Sequence, residues 1–180
     1  MNRAKTSIQR CWRLAFQLGQ RKELVWNDLK AFLQAQAWRV GTFEKERFVE
    51  VPFQLVEGHV VPFYYAVEEN ALSLQVNALE SIPTDLISDA FILSAHLNNV
   101  LTSGKVMVDA ENAAVLYRFQ LELLIPFLFP EEIEVNIARH FNASKDIHGA
   151  FRRLVEERES PAIIIADLLR QIEANSASAH

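Results

Sequence analysis

From Phe48 to Ala78 the chain alternates apolar and polar positions with a period of two. Val49, Val51, Phe53 and Leu55 alternate with Phe48, Glu50, Pro52 and Gln54, the pattern of a strand with one face inward. Glu57-Gly58-His59 turns the chain, and Val61, Phe63, Tyr65 and Val67 alternate with Val60, Pro62, Tyr64 and Ala66. A second turn at Glu68-Glu69-Asn70 leads to Leu72, Leu74, Val76 and Ala78. Three strands joined this closely form an antiparallel meander. Pro52 and Pro62 cannot donate to a ladder, so each is expected at an open edge or a bulge.

Elsewhere the period is 3.6. Residues 2–18 place Ile8, Cys11, Trp12, Ala15 and Phe16 on one stripe, with Gly19 as the stop. A second helix runs over 22–38 on Leu24, Val25, Leu29, Phe32 and Leu33, and Gly41 marks its exit. Thr84 and Asp85 open a third, with the stripe Ile87, Ala90, Phe91, Ser94, Leu97 and Leu101. A short strand around Val106 and Val108 and a long one from Val115 to Leu124 follow. Pro130-Glu131-Glu132 starts a helix that ends near Phe141; Asn142-Ala143-Ser144 predicts a break before a helix over 145–159. A last helix follows Ser160-Pro161.

The resulting order is α-β-β-β-α-β-β-α, with an extra helix in front and extra helices behind. It predicts an α+β fold with a twisted antiparallel sheet of about five strands. The organisation expected is a basic amphipathic leader helix over 1–20, an α+β domain over 21–141, a helical extension over 142–175 packed on it, and a frayed tail over 176–180. A length of 180 residues, half of them hydrophobic, suits one soluble globular domain.

Charge modifies this picture at one end only. Residues 1–22 carry six basic side chains and no acid, although the whole chain has a formal charge of −5. The acidic body disfavours nucleic-acid binding, which needs a basic face. The leader reads first as the solvated side of an ordinary helix, and second as a contact for an acidic partner or an anionic membrane surface through residues 1–18. Arg13 interrupts the apolar stretch from Cys11 to Leu18, so no signal peptide is expected. The longest apolar runs are eight residues, against roughly 20 for a transmembrane helix. A single cysteine, Cys11, allows no disulfide within the chain.

Catalytic signatures are missing. The five glycines, at 19, 41, 58, 104 and 149, lie too far apart for a phosphate loop, a dinucleotide fingerprint or a nucleophile elbow. No zinc-binding spacing occurs, and no cofactor is expected. His140, Asp146 and His148 could meet at the predicted helix break as ligands, but histidine near a helix end is commonly a surface group. His96 reads as a partly buried helix residue and His59 as a turn residue. Asp85 with Asp89, and Asp109 with Glu111, are paired carboxylates of the type that can divide acid and base roles, although helix starts and turns use acids for capping. Asn142-Ala143-Ser144 matches a glycosylation acceptor, which has meaning only in a secreted protein.

The helix Leu24–Leu33, the meander Phe48–Leu79, the helix Thr84–Leu101 and the junction Leu97-Asn98-Asn99-Val100-Leu101-Thr102-Ser103-Gly104-Lys105-Val106 before a long strand together resemble the secretion chaperone-like fold of YbjN-like proteins and type III secretion chaperones. The resemblance covers residues 22–141. It implies a cytoplasmic bacterial protein, often homodimeric, that binds another polypeptide or has an unassigned regulatory role; with no catalytic motif in the chain, the leading reading is a non-enzymatic one.

One sequence feature agrees with that implication. The second sheet face, polar in a solvated sheet, carries Phe48, Val60, Tyr64, Leu116 and Leu124 beside Glu50, Arg118 and Glu122. Such a face is either covered by the terminal helices or presented to a partner. Its five apolar residues and Arg118 are the expected partner-binding set, with a free strand edge as a second means of recognition. Phe91 and Leu97 are the expected dimer contacts. The alternative from another class is a small-ligand sensor or enzyme with a pocket between sheet and helices near His140 and His148.

Overall fold

The computed structural model describes residues 9–13, 15–38, 40–123 and 131–178. The elements are α1 (Leu18–Ala35), β1 (Gly41–Phe43), β2 (Phe48–Val56), β3 (His59–Val67), β4 (Ala71–Leu79), a 3-10 turn (Thr84–Leu86), α2 (Ile87–Val100), β5 (Lys105–Asp109), β6 (Ala114–Glu122), α3 (Glu132–Glu156) and α4 (Pro161–Ser178). The six strands form one open antiparallel sheet in the order β1-β2-β3-β4-β6-β5. This is the α+β architecture expected from the chain's two periodicities.

By contacts the chain groups into two compact units, Met1–Val76 with Phe119–Asn142, and Asn77–Arg118 with Ala143–His180. In the first, β2 and β3 bury Val49, Val51, Leu55, Val61, Phe63, Tyr65 and Val67, the inward set of the alternation. Val25, Trp26, Leu29 and Leu33 of α1, and Ile133 and Ile137 of α3, are buried with them. Rings fix which face these helices take: Phe141 of α3 lies 5.4 Å from Phe53 and 5.9 Å from Phe63. In the second unit α2 packs against β5 and α4, burying Ala90, Leu93, Leu97, Val106, Val115, Tyr117, Phe151, Ile164 and Ile165. Arg153 ties α3 to α4 by pairing with Asp167 at 2.6 Å.

Three local features differ from the sequence reading. The sheet has a sixth strand, β1, three residues long and paired Gly41↔Glu50 to Phe43↔Phe48; three residues give no periodicity to detect. The first helical break falls at Gln17, and Gly19 lies within α1. The break expected at Asn142-Ala143-Ser144 is absent: α3 is continuous for 25 residues. Asn and Ser disfavour helix by only a few tenths of a kcal/mol each, and tertiary burial outweighs that. Asn136, His140, Ser144 and His148, spaced by four, are all buried along α3. Two members of this polar ladder bond to backbone: Asn136 Nδ2 donates to the Glu132 carbonyl at 2.7 Å, and His148 Nδ1 donates to the Ala78 carbonyl at 2.6 Å.

The sheet edges matter for recognition. On β5 the Asn98 carboxamide imitates a neighbouring strand, donating to the Val106 carbonyl at 2.9 Å and accepting from the Val106 N–H at 2.8 Å. Ser94 Oγ adds a bond to the same carbonyl at 3.1 Å. At the opposite edge β1 reaches only as far as Glu50 along β2. Pro52 lies just beyond, opposite Pro62, and the register shifts between Gln54 and Val56. Proline and a bulge both discourage strand addition. Asn98→Ala leaves the Val106 N–H without its Asn98 acceptor, and about 1–3 kcal/mol of unfolding free energy should be lost. Urea denaturation measures this; a variant within about 0.3 kcal/mol of the parent would show that water replaces the carboxamide at no cost.

Candidate interaction surface and aromatic cavity

The alternation that buries Phe63 and Tyr65 turns the intervening side chains of the first unit to the other face. Register sets them in rows: Phe43–Phe48–Ala66–Ser73, then Gly41–Glu50–Tyr64–Gln75, then Pro52–Pro62, then Gln54–Val60. Phe43 and Phe48 stand 5.2 Å apart and Phe48 stacks on Tyr64 at 5.7 Å with 14° between planes. Phe43 remains 48% exposed and Val60 60% exposed; Phe48 and Tyr64 are half-buried. Glu50 is the one charged member of these four rows. In this unit α1 and α3 pack on the opposite face.

Of the six residues singled out from the sequence, Phe48, Val60 and Tyr64 therefore share one surface. Leu116 and Arg118 belong to the second unit, where both are half-buried on β6. They pair there with Met107 and Lys105. Leu124 lies outside the described residues. Phe43, which sequence reasoning misses, extends the aromatic row; its only signal is the register of a strand too short to recognise. On α2, Phe91 and its neighbour Ile92 are about half exposed, whereas Leu97 is buried in its own unit.

The polar candidates separate. His140 and His148 are both buried, at 0% and 2% exposure, while Asp146 is exposed on the same helix. The continuous helix turns Asp146 away from them, and no group of three ligating side chains occurs among the described residues. The His140 ring is steeply inclined to Phe63 at 5.4 Å and to Tyr65 at 6.1 Å, with 87° and 72° between planes. His96 is exposed rather than partly buried. Asp85 pairs with Arg158 at 2.6 Å. Asp109 caps its turn by accepting from the N–H groups of Glu111 and Asn112, and its bonds to Asn112 hold its carboxyl below the usual range. In the leader, Arg10 pairs with Asp28 of α1. The predicted apolar stripe is partly open there, with Trp12 55% and Phe16 73% exposed.

A cavity of about 270 Å³ does lie between helix and sheet in the first unit, but the histidines do not line it. Its walls are Phe32, Trp38, Phe53 and Phe141, with Gln36 and Glu134 among its lining residues. Elsewhere in the same unit Tyr65 is fully buried and its hydroxyl has no hydrogen-bond partner among the described residues. Burial pushes that phenol well above its ordinary range. The folded phenol therefore stays protonated where the unfolded one ionises, so its contribution is intact below about pH 10 and is lost as pH rises further. Tyr65→Phe should be neutral to stabilising by about 1 kcal/mol at neutral pH, and should remove part of the alkaline loss. Denaturation at pH 8 and above pH 10 measures both effects. An equal alkaline loss in the two proteins would assign it to other groups.

No family model and no curated protein matches the sequence. Among solved structures the chain is similar to YbjN from E. coli, a candidate transcription regulator, with a TM-score of 0.55 and 14% identity over 72% of this chain and 93% of that one. It is also similar to the ExsC–ExsE complex, with a TM-score of 0.49 and 18% identity over 67% of this chain and 87% of that one. The chain has the YbjN-like fold expected from its order of elements. No helix among the described residues is long and apolar enough to cross a membrane.

Proposed function

We propose that this chain is a non-enzymatic, cytoplasmic protein-binding module, chaperone-like or regulatory, whose polypeptide partner lies on the open face of the sheet in the first unit. The observation that carries this reading is the aromatic row Phe43–Phe48–Tyr64, standing with Val60 and two prolines on the face opposite α1 and α3. An apolar surface rimmed by few charges suits apolar side chains of a partner. Recognition through side chains is favoured over strand addition, because Asn98 caps β5 and Pro52 interrupts the β2 edge. The regulatory description of YbjN, whose fold this chain shares, is compatible with such a role.

The test begins with capture of a stoichiometric protein from host lysate, followed by binding of that purified partner. Tyr64→Asp and Val60→Asp should each weaken binding by at least about tenfold, as truncating interface anchors does. Leu169→Asp, at an exposed position on α4, should bind as the parent does. A partner retained by both sheet variants would refute the surface. Self-association is proposed through Phe91 and Ile92 of α2, both about half exposed; Leu97 is occupied within its own core. Sedimentation of Phe91→Asp against the parent decides that point.

A further inference from the structure

The aromatic cavity has a chemistry of its own. Trp38 stands perpendicular to two rings, Phe32 at 5.6 Å and 87° and Phe53 at 4.8 Å and 86°. Phe141 adds a further wall, 5.4 Å from Phe53 and inclined at 60°. Rings set at right angles to one another cannot all turn their edges the same way, and a ring face is the negative end of its quadrupole. No lysine or arginine lines the cavity. The carboxylate that does, Glu134, is exposed at the start of α3 and has no ion pair among the described residues. At about 270 Å³ the space lies just under the usual range for drug-sized ligands, about 300–1,000 Å³.

We infer that this cavity binds a small organic ammonium ion, its alkyl shell against the rings of Phe32, Trp38, Phe53 and Phe141 and its charge toward Glu134. A neutral apolar molecule would gain the burial but not the attraction of ring faces and carboxylate. An inorganic cation would lose water to walls that offer too few oxygens to replace it. An alkylated ammonium resolves both difficulties, because its charge is diffuse, weakly hydrated and suited to aromatic walls. The protein already contains one cation–ring pairing, on α1: Lys30 Nζ lies 5.2 Å from the Trp26 ring centroid. The cavity and the aromatic row of the open face share no residue, so each reading stands or fails without the other.

Calorimetric titration of the full chain with choline and with its uncharged isostere 3,3-dimethylbutan-1-ol tests the inference. The expected result is saturable binding of the cation, with an affinity at least about tenfold above that of the isostere. Glu134→Gln, an exposed helix position that should leave folding intact, should weaken the cation several-fold and leave the isostere unchanged. Trp38→Leu, checked by its thermal transition, should abolish the preference. Equal affinity for the two molecules would overturn the inference by showing selection for shape alone. Failure to saturate in the millimolar range, or cation binding undiminished in both variants, would overturn it equally.

Discussion

Gly104→Ala is expected to lower the unfolding free energy by about 2–5 kcal/mol, from left-handed backbone strain and overpacking together. Gly104 precedes β5 with φ of 76°, where an L side chain is strained by about 1–2 kcal/mol. A Cβ there would also lie 2.6 Å from Tyr117 Cε2 and 2.7 Å from its hydroxyl oxygen. The ring has nowhere to go: Tyr117 is fully buried, and its hydroxyl donates to the Ser103 carbonyl at 3.0 Å. Gly58 supplies the control, since it has the same φ of 76° and a Cβ added there would meet nothing within 4 Å. Gly58→Ala should cost only the dihedral part, about 1 kcal/mol. Urea denaturation of the two variants separates the contributions, and equal losses would show that Tyr117 yields freely.

Phe63→Ala should cost about 3–5 kcal/mol, the upper range for a core aromatic. Phe63 is fully buried on β3 and its ring touches Phe53 at 5.0 Å, His140 at 5.4 Å and Phe141 at 5.9 Å. Removing it opens a void against three rings that cannot close together. Phe53 and Phe141 are also walls of the cavity, so the variant should lose the ordered aromatic signals of both in NMR spectra even where it remains folded. Phe63→Leu should cost roughly half as much. A loss below about 1 kcal/mol for the alanine variant would show that the cluster repacks around the gap.

Which features can be read from the sequence follows from their range along the chain. The alternation Val49-Val51-Phe53-Leu55 and its counterpart from Val61 to Val67 identify both strands and the inward face, because burial on a strand repeats every two residues. The open face is legible for the same reason. What escapes depends on contacts distant in sequence. Phe43 joins the aromatic row through a three-residue strand recognised only by pairing with β2. The carboxamide of Asn98 reads as an ordinary polar helix residue until Val106 is placed beside it. The cavity draws on Phe32, Trp38, Phe53 and Phe141, each of which reads locally as core. His140 and His148 suggest a ligand pair only if the helix breaks between them; in an unbroken helix they become buried packing groups.

The polar ladder on α3 also governs how that helix can be seated. Continued by fours in both directions, it reads Glu132, Asn136, His140, Ser144, His148, Arg152 and Glu156. A slip of four residues, about 6 Å, would exchange an imidazole for a hydroxymethyl or an amide, leaving voids in some places and clashes in others. A slip of eight residues would set histidine on histidine at one position. It would do so only by driving Glu132 into the seat of His140, or Glu156 into the seat of His148, and an unpaired carboxylate in either buried place is prohibitive. The two glutamates thus act as end stops, and the helix has one seat.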